Sequence, residues 1–303
     1  MIYTVTLNPS VDYLIRVDQF EENKVNRVDS EEKFPGGKGI NVSRVLNRLD
    51  VPTKALGFLG GFTGGFIQTE LDKEHVQTDF VKVSGDSRIN IKLKSSKESE
   101  INGKGPAITE EQLNELVDKI ESIPSDSVLV LAGSIPASLP DTFYKMVTEK
   151  SSRRGVKVAV DASGKILLDV VGYHPFFIKP NHHELGDLFD VTISNVQDAA
   201  KYGRQLVDMG AENVVVSMAG EGALLLTREK SYLANVPKGT VVNSVGAGDS
   251  LVAGFLGTYA KTNNIIEAFR FGVATGSATA FSADLATKEK IEELLSQVTI
   301  KTL

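Results

Sequence analysis

Short runs of apolar and β-branched residues recur along the chain, at 3–7 (YTVTL), 54–60 (KALGFLG), 127–133 (SVLVLAG), 156–161 (VKVAVD), 176–180 (FFIKP) and 213–218 (NVVVSM). Most are apolar along their whole length, the pattern of strands buried on both faces. Between them the apolar positions take the three-to-four-residue spacing of helices, at 38–49, 109–123, 141–153, 183–189, 195–209 and 249–261. This alternation predicts an α/β fold, a mostly parallel sheet with helices on both faces. Right-handed crossovers then gather the C-terminal ends of the strands along one edge, where such sheets bind ligands.

One stretch departs from the rhythm. In RINIKLKSSKESEING (88–103), Ile89, Ile91 and Leu93 alternate with Arg88, Asn90, Lys92 and Lys94, and a polar turn leads into a second extended piece. The pattern predicts a hairpin with one apolar face. Extended segments at 13–18 and 30–34 would complete a small sheet from about 13–36 and 88–103, too poor in apolar residues for its own core. It is expected to act as a β lid over the strand ends of a single domain, 1–303, the alternative being an ordinary edge of the main sheet. An apolar outer face on such a lid would be protected by its counterpart in a second copy, so a homodimer through the lid is expected.

Composition removes several classes of function. The net charge of −6 over 303 residues argues against a nucleic-acid partner, though not against a small anion held by a local cationic cluster. With no cysteine there is no disulfide, thiolate metal site or thiol nucleophile. The first residues read directly as a strand rather than a leader, and no apolar run reaches membrane-spanning length. A cytoplasmic protein with no membrane partner is expected.

Two glycine-rich stretches carry the candidate chemistry. In VNSVGAGDSLVAGF (242–255), Leu251, Val252, Phe255, Leu256 and Tyr259 mark one helical face, which places Gly246, Ala247 and Gly248 at a helix N-terminus. Unpaired amides and the helix dipole favour an anion there and should keep Asp249 ionised as a proton acceptor. The same four residues would equally serve as a turn with a capping aspartate. In FPGGKGINVSRVLNRL (34–49), glycines surround Lys38, and Asn41 opens an apolar-periodic helix. Amides, a lysine and a carboxamide there suit a polyol or sugar phosphate, against a plain strand-to-helix turn. No glycine-lysine pair is followed by Ser or Thr, so a Walker A loop is absent, and Leu225 and Leu251 break the dinucleotide fingerprint.

PGGKGINVSRVL and NSVGAGDSLVAGF resemble the two signature stretches of the ribokinase-like sugar kinases, in their phosphofructokinase-B branch. TLNPSVD (6–12), LAGSIPASLP (131–140), DASG (161–164), KPNHHEL (179–185) and VSMAGEGALL (216–225) match as well, so the resemblance covers essentially the whole chain. It implies a ribokinase-like doubly wound fold with a small β lid. The GGKG form and EINGKGP (100–106) are most similar to bacterial kinases of fructose 1-phosphate, with kinases of tagatose 6-phosphate next. The implied reaction is ATP-dependent phosphorylation of C6 of fructose 1-phosphate. The alternatives are tagatose-6-phosphate kinase and, in another class, a non-catalytic sugar-phosphate sensor.

The resemblance also implies roles. Asp249 becomes the general base, and the amides of Gly246, Ala247 and Gly248 the anion hole. Asp12, Gly37 and Asn41 hold the sugar, while Lys38 and Arg88, assisted by Arg27 or Lys24, take its existing phosphate. Lys179, Asn181, Ser217, Met218, Ala219, Gly220, Glu221, Gly222 and Gly248 bind the nucleotide, and Asn181 and Glu184 order Mg²⁺ through water. The residues 217–222 also read as a plain β-turn, Asp12 as a turn acid and Arg88 as a solvated edge residue. FGVATGSATAFS (271–282) is implied as part of the adenine pocket, with close helix packing as the alternative. His182 and His183 diverge by about 100° on a helix and are not expected to share a metal, and His75 and His174 belong to no cluster.

Overall fold

The computed structural model describes residues 1–303 in two sheets. The main sheet has eleven strands, in spatial order Ile300–Thr302, Ser231–Ala234, Ala223–Thr227, Asn213–Ser217, Phe177–Ile178, Lys157–Asp161, Val128–Ala132, Ile2–Thr6, Thr53–Gly60 and Gln77–Thr78, with Val81–Val83 pairing onto the end of Thr53–Gly60. From Asn213–Ser217 to the Gln77 edge all pairs are parallel; the three strands at the opposite edge are antiparallel.

Strand pleating explains why the predicted strands are apolar throughout. Val158 and Val160 enter one core while Ala159 enters the other, and Val214, Val215 and Val216 alternate in the same way. One face is covered by helices Glu110–Glu121, Phe143–Arg153, Lys165–Val171, His182–Phe189 and Val196–Asp208. Lys38–Arg48, Ala247–Thr262, Ile265–Ala280 and Lys288–Leu295 cover the other. Helix ends follow local chemistry: in TEEQ, Thr109 accepts from the Gln112 amide and the Gln112 side chain accepts from the Thr109 amide. No helix is long and apolar enough to cross a membrane.

The second sheet has four strands in the order Ser30–Gly36, Ser10–Arg16, Arg88–Lys94, Glu98–Asn102. It is separate from the main sheet rather than an edge of it. Ser10–Arg16 pairs parallel with Arg88–Lys94, and the two outer pairings are antiparallel. Its first strand starts at Ser10, three residues before the segment read from sequence. Only a small apolar cluster ties this region down: Val11 packs with Ile40, Ala55, Leu59, Ile67, Leu71 and Val76.

Two helices need close backbone approach. Ala247–Thr262 and Ile265–Ala280 pack with Gly254 so near its neighbour that a Cβ there would stand 2.3 Å from Thr275 Oγ1. On the other helix, a Cβ at Gly272 or Gly276 would stand 2.9 Å from the carbonyl of Leu251 or Ala247. A close seam of glycine against neighbouring carbonyls and the Thr275 side chain holds the second glycine stretch in place.

Candidate active site

The parallel strands end along one edge at Thr6, Gly60, Ala132, Asp161, Ile178 and Ser217, and the helices starting at Lys38, His182 and Ala247 begin there too. Gly246 lies just before the last of these with φ 77°, in the left-handed region that glycine enters without strain. One turn into the helix, Asp249 is only 5% exposed, and its Oδ2 accepts a hydrogen bond of 2.8 Å from Asn41 Nδ2. The two glycine stretches, 208 residues apart, therefore meet through one hydrogen bond. Burial raises the Asp249 carboxyl to about 6, and Asp161 adds to the rise, against the opposing pull of Lys38, Asn41 and Lys179. Desolvation, a cost the sequence does not show, is the largest cause of this rise. Asp249 is still mainly ionised at neutral pH, poised where a general base works well.

Beside it lies a second buried carboxylate. Asp161, at the C-terminal end of Lys157–Asp161, is 2% exposed, and its Oδ1 is 3.2 Å from Lys38 Nζ and 3.6 Å from Lys179 Nζ. Burial alone would raise this carboxyl, but Lys179 and then Lys38 outweigh it and hold it below the ordinary carboxylate range. Asp161 in turn raises the Lys38 ammonium well above its usual value, against desolvation. Lys179 packs on the other glycine stretch: a Cβ at Gly248 would stand 3.0 Å from its Nζ.

Asp12 sits mid-strand in the four-stranded sheet. Its Oδ1 accepts from Ser10 Oγ at 2.7 Å and from Asn90 Nδ2 at 3.2 Å. The glycines of PGGKG make room for this approach, since a Cβ at Gly36 would fall 2.4–2.6 Å from three atoms of the Asp12 carboxyl. Gly37 has φ 119°, and a Cβ there would meet Thr6 Cγ2 at 2.6 Å. Arg88 is half-buried, donating to the carbonyls of Asn8 (3.0 Å) and Gly103 (3.4 Å). Asp12, Asn41 and Arg44 line a small cavity with Lys92, Asn243 and Asp284. Arg27 and Lys24 are not brought to this group: both are exposed between Arg16 and Ser30, and Lys24 pairs with Glu21. Nor does Lys38 lie with Arg88, since its ammonium faces Asp161.

A larger cleft of about 440 Å³ opens on the other side of the helix start. Asn181, Ser217, Ala219, Gly220, Gly222, Ala247 and Gly248 form its polar and glycine-rich wall. Val236, Val241, Leu251, Val273 and Phe281 supply an apolar wall, with Gly276, Ser277 and Ala280 between. Segment 271–282 packs closely through Gly272 and Gly276 and also lines the cleft. The turn at 217–222 contains a short 3₁₀ helix, Ala219–Glu221, and returns the chain from Asn213–Ser217 to Ala223–Thr227. Met218 points into the core at 4% exposure, and neither it nor Glu221 lines the cleft.

Asn181 and Glu184 are one turn apart and cap each other. Asn181 Oδ1 accepts from the Glu184 amide at 2.9 Å, and Glu184 Oε2 accepts from the Asn181 amide at 2.8 Å. That pairing leaves Glu184 Oε1 and the Asn181 side-chain amide for a ligand. His182 and His183 line the cleft with their rings 3.9 Å apart, and no cluster of three metal-binding side chains forms.

Sequence reasoning missed Asp161 and Asn90 as site residues. The available signal was position: an acid closing an apolar strand, and an amide on the polar face of an alternating one. Their partners, Lys38 and Asp12, are 123 and 78 residues away in sequence.

The sequence model of pfkB family carbohydrate kinases matches residues 5–292. The chain is 52% identical over 303 residues to 1-phosphofructokinase of Bacillus subtilis (strain 168), covering 100% of both chains. It is 41% identical over 304 residues to D-tagatose-1-phosphate kinase of Bacillus licheniformis, again covering 100% of both. In three dimensions it is similar to phosphofructokinase-2 from Escherichia coli in complex with substrates and products, with a TM-score of 0.93, 28% identity and 98% of each chain covered.

Proposed function

We infer that this chain, which belongs to the pfkB family of carbohydrate kinases, transfers the terminal phosphoryl group of ATP to the C6 hydroxyl of fructose 1-phosphate. The product is fructose 1,6-bisphosphate. The observation that carries this reading is Asp249, a buried carboxylate at the start of a helix, oriented by Asn41 beside Gly246–Gly248. Full-length similarity to a 1-phosphofructokinase supports the choice of sugar.

In this reading Asp249 takes the proton of the attacking hydroxyl. The alcohol oxygen forms a bond to the γ-phosphorus as the bond from that phosphorus to the bridging oxygen breaks, and ADP leaves with the electron pair. Charge on the phosphoryl oxygens meets the amides of Gly246, Ala247 and Gly248, donors already fixed in place. Asp12, Gly37 and Asn41 hold the sugar, and Arg88 serves the phosphate it already carries, with Arg27 joining only on closure of the small sheet. The cleft suits an adenine nucleotide, with apolar walls for the base and Ser217, Gly220 and Gly222 along the ribose and phosphates, while Lys179, buried behind Gly248 rather than lining the cleft, would bear on the phosphates from there. Glu184 through its free Oε1, and Asn181 through the second lone pair of Oδ1, would accept from the water of a hydrated Mg²⁺ travelling with the nucleotide, which would neutralise charge on its phosphates.

The four-stranded sheet acts as a lid that excludes water from the phosphoryl group. Ile89 and Ile101, 41% and 62% exposed on it, support a homodimer through this sheet. Light scattering at micromolar concentration should report a dimer; a monomer alone would end that part of the reading. A cytoplasmic location, where ATP and sugar phosphates are available, belongs to the same proposal.

ADP release should be measured with fructose 1-phosphate, tagatose 1-phosphate, tagatose 6-phosphate, fructose 6-phosphate and unphosphorylated ketoses. The highest kcat/KM is expected for fructose 1-phosphate. Similarity to a D-tagatose-1-phosphate kinase favours tagatose 1-phosphate as the second substrate. Preference for an unphosphorylated sugar would refute the assignment, and sugar-phosphate binding without ADP release would indicate a sensor.

A further inference from the structure

Of the buried ionisable groups, Asp161 has no part in the proton transfer described above, yet it touches both lysines of the site. Its Oδ1 lies 3.2 Å from the Lys38 ammonium and 3.6 Å from that of Lys179, while its Oδ2 is buried with no hydrogen-bond partner. Lys179 is itself 5% exposed and lies against Gly248. Lys38 keeps 37% of its side chain open. One oxygen thus fixes two cations, one against the glycine turn and the other facing the open site. The cluster retains a positive charge, two lysines to one carboxylate, beside the turn that would receive a phosphoryl group.

We propose that Asp161 is a positioning residue that gathers Lys38 and Lys179 into an ammonium pair for the phosphoryl group in transfer, and so withdraws Lys38 from the phosphate the sugar already carries. This deepens the kinase reading and rests on it. A lysine meant for the sugar's own phosphate would share the surroundings of Arg88, which donates to the carbonyls of Asn8 and Gly103 and has Asp12 as the charge bearing on it. Lys38 instead turns to the end of the central strand Lys157–Asp161, and its charge bears on Asp249 and Glu184.

The arrangement also governs the base. Asp161 from its strand end, Lys38 from the first turn of Lys38–Arg48 and Lys179 from the segment after Phe177–Ile178 are the charged groups bearing on Asp249. The neighbouring helix Ile265–Ala280 meets this part of Ala247–Thr262 with neutral side chains, Thr275 against Gly254 and Thr279 bonded to Ser250. Removing the Asp161 charge would leave Asp249 with two cations and no like-charged neighbour.

Two variants test this. In full-length Asp161→Asn, the Asp249 carboxyl, followed by ¹³C NMR in the absence of substrate, should titrate about one pH unit lower than in wild type. Its kcat should fall about 10²-fold, with the KM for fructose 1-phosphate changed less than about threefold. Asp161→Glu should recover part of the lost rate. Lys38→Met, which does not depend on the folding of the first variant, should likewise lower kcat and spare that KM. An unchanged Asp249 titration in Asp161→Asn would overturn the inference. So would a Lys38→Met enzyme with normal kcat and a raised KM for fructose 1-phosphate. Should wild type prefer another sugar, the functional reading fails while the carboxyl titration still decides the role of Asp161.

Discussion

Replacing Asn41 by leucine, a side chain of nearly the same shape, removes the donor that holds Asp249. Both partners are buried, at 8% and 5% exposure, and the bond is 2.8 Å long. A hydrogen bond to an ionised group contributes about 1.5–3 kcal/mol. At about 1.4 kcal/mol per tenfold change in proton affinity, its loss should move the Asp249 carboxyl from about 6 to roughly 7–8. At pH 7 the ionised fraction would then fall from about nine-tenths to between one-half and one-tenth. The variant should therefore lose about two- to ninefold of its activity at pH 7 from this cause alone and regain it above pH 9. The assay is kcat/KM from pH 5.5 to 9.5, divided point by point by wild type, which cancels the titration of ATP and sugar phosphate. A ratio that climbs with pH supports the reasoning. A flat ratio would refute it, reducing Asn41 to a sugar contact.

Three further outcomes follow from the geometry. Asp249→Asn should almost abolish turnover, a loss of roughly 10²–10⁴-fold, yet stabilise the protein. The folded carboxyl is raised from 3.8 to about 6, so ionising it opposes folding above that pH by about 3 kcal/mol. The gain in Tm should be present at pH 7.5 and vanish below pH 4. Gly36→Ala drives a methyl group into the Asp12 carboxyl, so the KM for the sugar should rise about tenfold or more, at a stability cost of about 1–3 kcal/mol read from urea unfolding. Arg44→Met removes a guanidinium, 3% exposed, that lies 2.6 Å from Glu74 and 2.9 Å from Asp284. With two carboxylates left to Arg48, urea unfolding should show a loss of about 3 kcal/mol, and an unaltered midpoint would count against this network.

The alternating strands and helices could be read from sequence because both faces of the main sheet are buried, which leaves long apolar runs such as those ending at Ala132 and Asp161. Helix Gly61–Lys73 escaped that reading: glycines at 61, 64 and 65 conceal its periodicity, and of its buried residues Thr63, Gly64, Ile67 and Leu71 only the last two are large and apolar. The short antiparallel strands at the Ile300 edge have too few residues to show any period. Within the site, the glycine stretches stood out because several close approaches fall in consecutive positions. Asp161 and Asn90 did not, because each acts singly, and its meaning comes from a partner that only the folded sheet brings near. The rise of the Asp249 carboxyl was not legible for a related reason: a helix start is visible in sequence, but the depth of its burial is not.

The glycine seam behind Asp249 has a mechanical consequence. Where a glycine rests on a neighbouring carbonyl, as at Gly272 and Gly276, little side chain remains to rotate and absorb a displacement, so helices 247–262 and 265–280 should shift as one block. That block is pinned to the central strands by Phe255 packed at a tilt on Phe177, at 4.4 Å between ring centres. Whatever opens to admit sugar must then swing elsewhere, and the four-stranded sheet, anchored by a far smaller apolar cluster, is the part with freedom to do so. The base would stay still while the hand that grips the sugar moves.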